Sequence, residues 1–179
     1  MTLYGYYFTA TGVTEYAFFH GDQALLRVMH IPVPNTPVRV YTASGAEYTF
    51  GQPSSWDDSL SDNVMPSPGA SFPFIGADGA EAGRLYLLRE DHFAVAVPGA
   101  ALTGRVIQSR TRRSICFTGM DDALVATLEY GFERMPSRER FGEWFPRRYV
   151  AEVMQEADET LLALALAVPF LGFEGIDVG

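Results

Sequence analysis

An uncharged apolar segment near the C-terminus, Thr160–Phe173, constrains the fold more than any other feature of this sequence. It is rich in leucine and alanine, which are strong helix formers. Asp158 and Glu159 lie where a helix N-terminus favours a capping oxygen and negative charge. The large apolar side chains fall on every side of the predicted helix, so no polar face remains. Such a helix is surrounded either by lipid or by protein.

The length of the segment decides between these two environments. Its fourteen residues would span about 21 Å as a helix, whereas the hydrocarbon core of a bilayer is about 30 Å thick. Pro169 would also disrupt the last turn of a membrane-spanning helix. The sequence therefore predicts a helix over about 157–171 that is buried inside the protein and is not transmembrane.

The chain before this segment carries short strand-like runs, with no helix-length pattern between them. The runs are Leu3–Phe8, Glu15–Phe19, Ala24–Ile31, Val38–Thr42, Glu47–Phe50, a run from Phe74, Gly83–Leu88, Phe93–Val97, Leu102–Gln108, Ser114–Thr118 and Ala123–Phe132. They recur every eight to twelve residues or so, which is typical of an all-β sandwich or barrel. Residues 51–71 are rich in Pro, Ser and Asp, and we predict a long surface loop there.

The stretch Tyr149–Met154 has two interpretations. Val150, Val153 and later apolar residues have helical spacing and could extend the C-terminal helix upstream. The same stretch also reads as a strand leading into that helix. We favour the strand, because Arg147 and Arg148 would be unfavourably placed at a helix N-terminus.

The end of the chain resembles a known family. Arg148-Tyr149-Val150-Ala151-Glu152-Val153, then Ala157-Asp158-Glu159-Thr160 and the apolar run Leu161–Val168, are similar to the last strand and central helix of the tubby-like C-terminal superfamily. That superfamily includes tubby proteins, phospholipid scramblases and plant LURP-one-related proteins. The resemblance implies a single domain over residues 1–179, with a closed twelve-stranded barrel around the helix. It transfers no ligand residues, because the basic phosphoinositide-binding positions of tubby have no matching motif here.

The same architecture is favoured by the physics of a closed sheet. Closing a sheet removes its exposed edges, and a ring of about twelve strands leaves interior space that something apolar must fill. A helix with leucine on every side fills it. The predicted fold class is therefore β-rich α+β, a closed antiparallel β-barrel of about twelve strands around a central apolar C-terminal helix.

Charge is unevenly distributed along the chain. The formal net charge of −9 argues against a nucleic-acid binder. Residues 105–150 nevertheless hold nine of the thirteen arginines and six acidic residues. If the loops around positions 110 and 138 share one rim, their arginines form a patch suited to an anionic lipid headgroup or a membrane surface. Alternatively, the arginines pair with acidic residues across the surface. The candidate ligand-binding residues are Arg110, Arg112, Arg113, Arg138, Arg140, Arg147 and Arg148.

Residues for catalysis or metal binding form no recognised pattern. The sequence predicts no metal site and no cofactor, since His20, His30 and His92 lack metal-ligand spacing. Asp91 beside His92 could orient the imidazole, but adjacent residues on a strand face opposite sides, which argues against it. Cys116, the single cysteine, excludes an internal disulfide and is expected to be a buried, unreactive thiol.

Three functional hypotheses follow from these observations. The first is a non-enzymatic tubby-like domain that binds anionic phospholipid or docks peripherally at a membrane. The second is a protein-interaction or scaffold domain that contacts a partner through Gly51–Ser71 and Phe141–Phe145. The third is an enzyme built around Asp91, His92 and the arginines, which requires a cleft where these groups converge. The sequence shows neither an export signal nor a disulfide pattern, so we expect a cytoplasmic location.

Overall fold

The computed structural model describes residues 1–10, 13–30, 37–51, 69–108, 113–130 and 145–171. These residues form twelve β-strands, one α-helix and a short 3-10 turn. In chain order they are β1 Thr2–Ala10, β2 Val13–His20, β3 Gln23–His30, β4 Arg39–Thr42, β5 Glu47–Phe50, β6 Ser71–Gly76, β7 Glu81–Arg89, β8 His92–Val97, β9 Ala100–Gln108, β10 Arg113–Thr118, β11 Leu124–Tyr130, β12 Phe145–Val153, α1 Glu159–Ala167 and the 3-10 turn Val168–Phe170. Most of the predicted loop 51–71 falls on residues 52–68, outside the described part.

The strands close into a single antiparallel barrel. Each strand pairs with its neighbours in sequence, and β1 pairs with β12 to complete the ring. Thr2 lies opposite Glu152 and Leu3 opposite Ala151, so the last strand seals the sheet against the first. Closure removes the exposed edges that an open sheet would carry. The predicted barrel is confirmed, and the stretch beginning at Tyr149 is a strand, as favoured from the sequence.

The alternating strand directions give the barrel two distinct ends. We call the lower rim the end that carries the β2–β3, β4–β5, β6–β7, β8–β9 and β10–β11 turns together with residues 154–158, which lead into α1. The upper rim is the opposite end, where β1 finishes and β12 begins. Gly45 and Gly99, both with φ of 83°, allow two of the tight lower-rim turns, because glycine adopts positive φ without steric cost.

The helix α1 runs from the lower rim into the barrel. It contacts β3 and β4 on one side of the barrel. On the other side it contacts β8 and β9, which lie five strands away around the ring. Leu164 and Leu166 are at most 1% exposed. Above them, the ring of Phe170 packs against those of Tyr16 and Tyr149, with centroid distances of 4.5 and 5.3 Å. The predicted central position of the helix is confirmed.

The two ends of the helical segment differ from its middle. Leu162, in the first turn, and Leu171, after the 3-10 turn, are only half-buried, although both were expected to fill the barrel. The regular helix stops at Ala167, and Pro169 lies in the 3-10 turn that follows. Within the described residues, no helix is long and apolar enough to span a bilayer.

A glycine in the barrel wall makes room for the helix. A Cβ atom on Gly83 of β7 would lie 3.1 Å from Cδ1 of Leu164 and 2.9 Å from the carbonyl oxygen of Ala96. Both distances are shorter than ordinary van der Waals contact between heavy atoms. The helix therefore approaches this wall closely because the strand lacks a side chain there.

Polar contacts hold the start of α1 at the lower rim. The Asp158 carboxylate accepts a hydrogen bond from the Leu161 N–H at 2.9 Å and forms the N-cap that the sequence predicts. The Glu159 carboxylate accepts one from the Ser44 N–H at 3.1 Å. The hydroxyl groups of Tyr48 and Thr160 lie 3.1 Å apart. The helix start is thus joined to the β4–β5 hairpin.

Removing the N-cap is expected to destabilise the protein moderately. Replacing Asp158 by alanine leaves a helix N–H without its partner, which typically costs about 1 kcal/mol. We expect urea denaturation to show that loss as a lower transition midpoint with an unchanged slope. Glu156→Ala, two residues upstream at an exposed position, is the control and should change the midpoint little. Equal effects of the two substitutions would contradict a capping role.

Candidate functional site

Three of the seven candidate arginines lie in the described part of the chain. Arg113 is the first residue of β10, and Arg147 and Arg148 lie in β12. The other four lie outside the described residues: Arg110, Arg112, Arg138 and Arg140. A joint patch formed by all seven therefore stays a prediction.

The strands next to these arginines share one end of the barrel. Arg113 pairs with Gln108 of β9 and with Tyr130 of β11, and Tyr130 pairs with Tyr149 of β12. This row of backbone pairs crosses four adjacent strands near the upper rim. Residues 109–112 and 131–144 therefore connect neighbouring strand ends at the same rim.

Arg113 does not face the outside of the barrel. It lies on the same side of β10 as Ile115 and Phe117, which are fully buried in the core. Its Nε atom is itself buried. The sequence did not indicate this orientation, because the face on which Arg113 lies depends on the start and register of β10. Headgroup binding is therefore tested at Arg110 and Arg112, the candidate arginines of the adjoining segment 109–112.

A charged row lies on the outer side of the barrel below the upper rim. His92, Arg105 and Cys116 lie opposite one another on β8, β9 and β10. The Asp91 carboxylate is 2.7 Å from Nδ1 of His92. That hydrogen bond, together with the charges of His92 and Arg105, lowers the pKa of Asp91 below its usual value.

The expectation that Asp91 and His92 face opposite sides was wrong, and Asp91 orients the imidazole. Asp91 belongs to the β7–β8 turn, and its backbone carbonyl accepts a hydrogen bond from the Val106 N–H at 2.9 Å. The alternation of side chains applies only within a strand, and β8 begins at His92. An imidazole with an orienting carboxylate is therefore present on the outer surface.

This pair does not reach the cysteine of the same row. His92 and Cys116 are separated by two strand spacings, about 9–10 Å, so the imidazole cannot take the thiol proton directly. Burial, followed by the charge of Glu129, raises the pKa of the Cys116 thiol. The side chain is only half-buried on the outer wall, where the sequence predicted full burial, but the neutral thiol favoured there is a weak nucleophile. The row therefore does not form a nucleophilic site.

The remaining described histidine side chain lies at the other end of the barrel. Nδ1 of His20 is 3.1 Å from the carbonyl oxygen of Thr2, at the exposed end of β2. In the part of the chain that the structure describes, no three side chains of His, Cys, Asp or Glu could hold a metal ion together.

The lower rim carries a feature that the sequence analysis missed. Its turns and the lead-in to α1, all of them described, contain six exposed carboxylates and no arginine. The carboxylates are Asp22, Asp78, Asp121, Asp122, Glu156 and Asp158. The signal in the sequence was a carboxylate in the β2–β3, β6–β7 and β10–β11 turns and in the lead-in to α1. Asp121 and Asp122 belong to the arginine-rich stretch 105–150, yet their turn lies at the opposite end of the barrel from Arg113.

Comparisons of the chain with protein-family models, with curated proteins and with solved structures find no match. The function is therefore inferred from the geometry of the barrel and from the distribution of its charges.

Proposed function

We propose that this chain is a non-enzymatic domain of the tubby-like kind whose upper rim binds anionic phospholipid headgroups at a membrane surface. The closed barrel of twelve described strands around an apolar C-terminal helix supports the family resemblance. The separation of charge along the barrel axis is the observation that carries the lipid proposal.

The charge separation follows from strand direction. Arg39 begins β4 and Arg89 ends β7, and both are exposed at the upper rim, although Arg39 forms an ion pair with Glu47 at 3.4 Å. The two segments that hold Arg110, Arg112, Arg138 and Arg140 are attached to strand ends at the same rim. The described connections of the lower rim hold carboxylates and no arginine. The upper rim also carries acidic residues: Glu90 and Asp91 follow Arg89, and the connections 52–68 and 131–144 contain three acidic residues each. The connection with a net positive charge at this rim is 109–112, so an anionic surface would be attracted there and repelled by the lower rim.

The overall negative charge does not prevent such binding. A strand of nine residues, such as β7, rises about 30 Å along its own axis, or some 20–25 Å along the axis of a tilted barrel. The Debye length at physiological ionic strength is about 8 Å. The lower-rim carboxylates would thus lie more than two Debye lengths from a membrane that touches the upper rim. Because salt screens the distant lower-rim carboxylates, the arginines near the membrane determine the interaction.

Substitution of two upper-rim arginines tests the proposal. We expect the wild-type chain to sediment with phosphatidylcholine vesicles that contain phosphatidylserine, and to be released as salt is raised. Each basic residue near an anionic surface contributes about 1 kcal/mol, so Arg110→Gln with Arg112→Gln should weaken binding about 30-fold. Gln23→Glu with Ala77→Glu changes the net charge by the same amount at exposed lower-rim positions. This second variant should bind as the wild type does.

Two results would contradict the proposal. Equal binding to vesicles with and without phosphatidylserine would show that the anionic headgroup is not recognised. Equal losses in the arginine variant and in its lower-rim control would show that overall charge, and not the upper rim, governs binding.

A further inference from the structure

We infer that the lower rim is a docking surface for a cationic amphipathic helix of a partner protein. The surface is an open apolar concavity bordered by carboxylates. It lies at the opposite end of the barrel from the lipid surface proposed above, so the two proposals can fail independently.

The concavity lies between the end of β12 and the first turn of α1. It has a volume of about 500 Å³, and Met154, Ala157 and Leu162 are among the side chains that line it. Leu162 belongs to the helix that otherwise fills the barrel, yet it remains half-buried because it faces this opening. The concavity therefore gives a partner access to apolar surface at the base of the central helix.

Exposed apolar side chains continue from the concavity along the rim. Met154 is 55% exposed, and its N–H donates to the carbonyl oxygen of Val125 at 2.9 Å, which places it beside Leu124. Leu124 is 36% exposed, and Met120 in the adjoining turn is 79% exposed. Methionine is unbranched and polarisable, so it adapts to apolar partners of different shape. These three exposed side chains lie at the same rim as the concavity, and we call them the apolar strip.

The border of this strip is mainly negative, and its one described cation is the N-terminal ammonium group of Met1, which donates a hydrogen bond to the carbonyl oxygen of Val153 at 2.6 Å. Glu156 and Asp158 lie on the lead-in to α1, and Asp121 and Asp122 lie on the β10–β11 turn, all exposed. Two of these carboxylates are held in place by backbone hydrogen bonds: Asp158 by the Leu161 N–H and Asp121 by the Ala123 N–H at 3.2 Å. Charge complementarity therefore selects a partner with lysine or arginine beside its apolar stripe, and it disfavours an anionic lipid.

The closed sheet limits how a peptide can bind. An extended peptide usually adds to a free strand edge, but β1 and β12 pair with each other and close the ring. A helix that lays its apolar face into a groove needs only side-chain contacts. An apolar strip with acidic borders and no free edge therefore fits a basic amphipathic helix.

Peptide binding tests the inference on the full chain. The probe is a fluorescent synthetic helix in which leucines form one face and lysines the other. A scrambled peptide of the same composition and a leucine–glutamate counterpart are the comparison peptides. We expect the cationic helix alone to raise the fluorescence anisotropy. Truncating an apolar contact residue by Met154→Ser should weaken its binding about five- to tenfold.

Matched substitutions locate the binding surface. Glu156→Arg and Glu90→Arg make the same charge change at exposed positions of the lower and upper rims. Only Glu156→Arg should weaken binding. Leu88→Ser, at a 49% exposed residue of β7, controls for Met154→Ser. Arg110→Gln with Arg112→Gln should leave peptide binding unchanged whether or not that variant still binds lipid.

Several outcomes would overturn the inference. One is equal affinity for the ordered and scrambled peptides, and another is equal sensitivity to Glu156→Arg and Glu90→Arg. Sedimentation that shows a dimer of this chain, dissociated by Met154→Ser, would assign the surface to a second copy instead. Binding to neutral vesicles that Met154→Ser abolishes would assign it to lipid.

Discussion

Replacement of Leu164 by aspartate is expected to abolish folding. Leu164 is 0% exposed in the middle of α1, inside the barrel. Losing a buried leucine side chain costs about 2–5 kcal/mol, and burying a polar group without a partner costs roughly 2–7 kcal/mol more. The sum is comparable to the whole stability of a typical domain, about 5–15 kcal/mol. We expect the variant to accumulate as insoluble protein and any soluble fraction to lack a cooperative thermal transition.

A graded series separates burial from the chemistry of the substitution. Leu164→Ala removes the side chain without adding a charge and should leave a folded but less stable protein. Leu88→Asp introduces the same carboxylate at an exposed position and should melt close to the wild type. A soluble Leu164→Asp variant with a cooperative transition near that of the wild type would show that the helix does not support the barrel.

Replacement of Gly104 by alanine is expected to be the most damaging small substitution in the sheet. An added Cβ would lie within 2.6 Å of three ring atoms of Phe93, the residue paired with Gly104 on β8. Phe93 is 0% exposed, and its ring packs edge-on against Phe117 with centroids 6.0 Å apart. The ring therefore has little space into which it can move.

The expected cost of this overpacking is about 3 kcal/mol. For a chain of this size, that loss lowers the melting temperature by roughly 6–12 °C. Differential scanning calorimetry would measure it. Thr103→Ala, on the outer side of the same strand, should change the melting temperature far less.

A double variant tests the cause directly. In a Phe93→Ala background the ring is absent, so the added methyl group at position 104 should cost little or nothing. The non-additivity should then approach the full effect of the single Gly104→Ala substitution. Additive losses would show that Phe93 is not the group that requires glycine at this position.

The two proposed surfaces give the barrel opposite electrostatic ends. In these proposals the arginine-bearing connection 109–112 at the upper rim would meet an anionic membrane, while the carboxylates of the lower rim, including Asp121, Asp122 and Glu156, would face a basic partner. The domain would then hold that partner on the side away from the membrane. The two rims can be tested separately, because the arginine substitutions and Glu156→Arg lie at different ends.

The candidate lipid site was predictable only in part. The concentration of arginines in residues 105–150 is visible in the sequence. That the segments 109–112 and 131–144 are attached at one rim follows from the alternating strand directions. Those directions depend on the order of the twelve strands in the barrel. The inward orientation of the Arg113 side chain and the Asp91–His92 hydrogen bond were not predictable. Each depends on the residue at which a strand starts, and strand ends are the least certain part of a sequence-based assignment.

The sequence by itself determined the local elements of this protein. Alternating apolar residues between turn signals specified the strands, and an uncharged Leu-Ala run after Asp158 specified a buried helix, because backbone preference and hydrophobic period are local properties. Only the tertiary structure decided which residues meet. The pairing of Thr2 with Glu152, the fit of Gly83 against Leu164 and of Gly104 against Phe93, and the collection of carboxylates at one rim join residues distant along the chain or on different strands. Such contacts depend on register and closure, which emerge only when the whole ring forms.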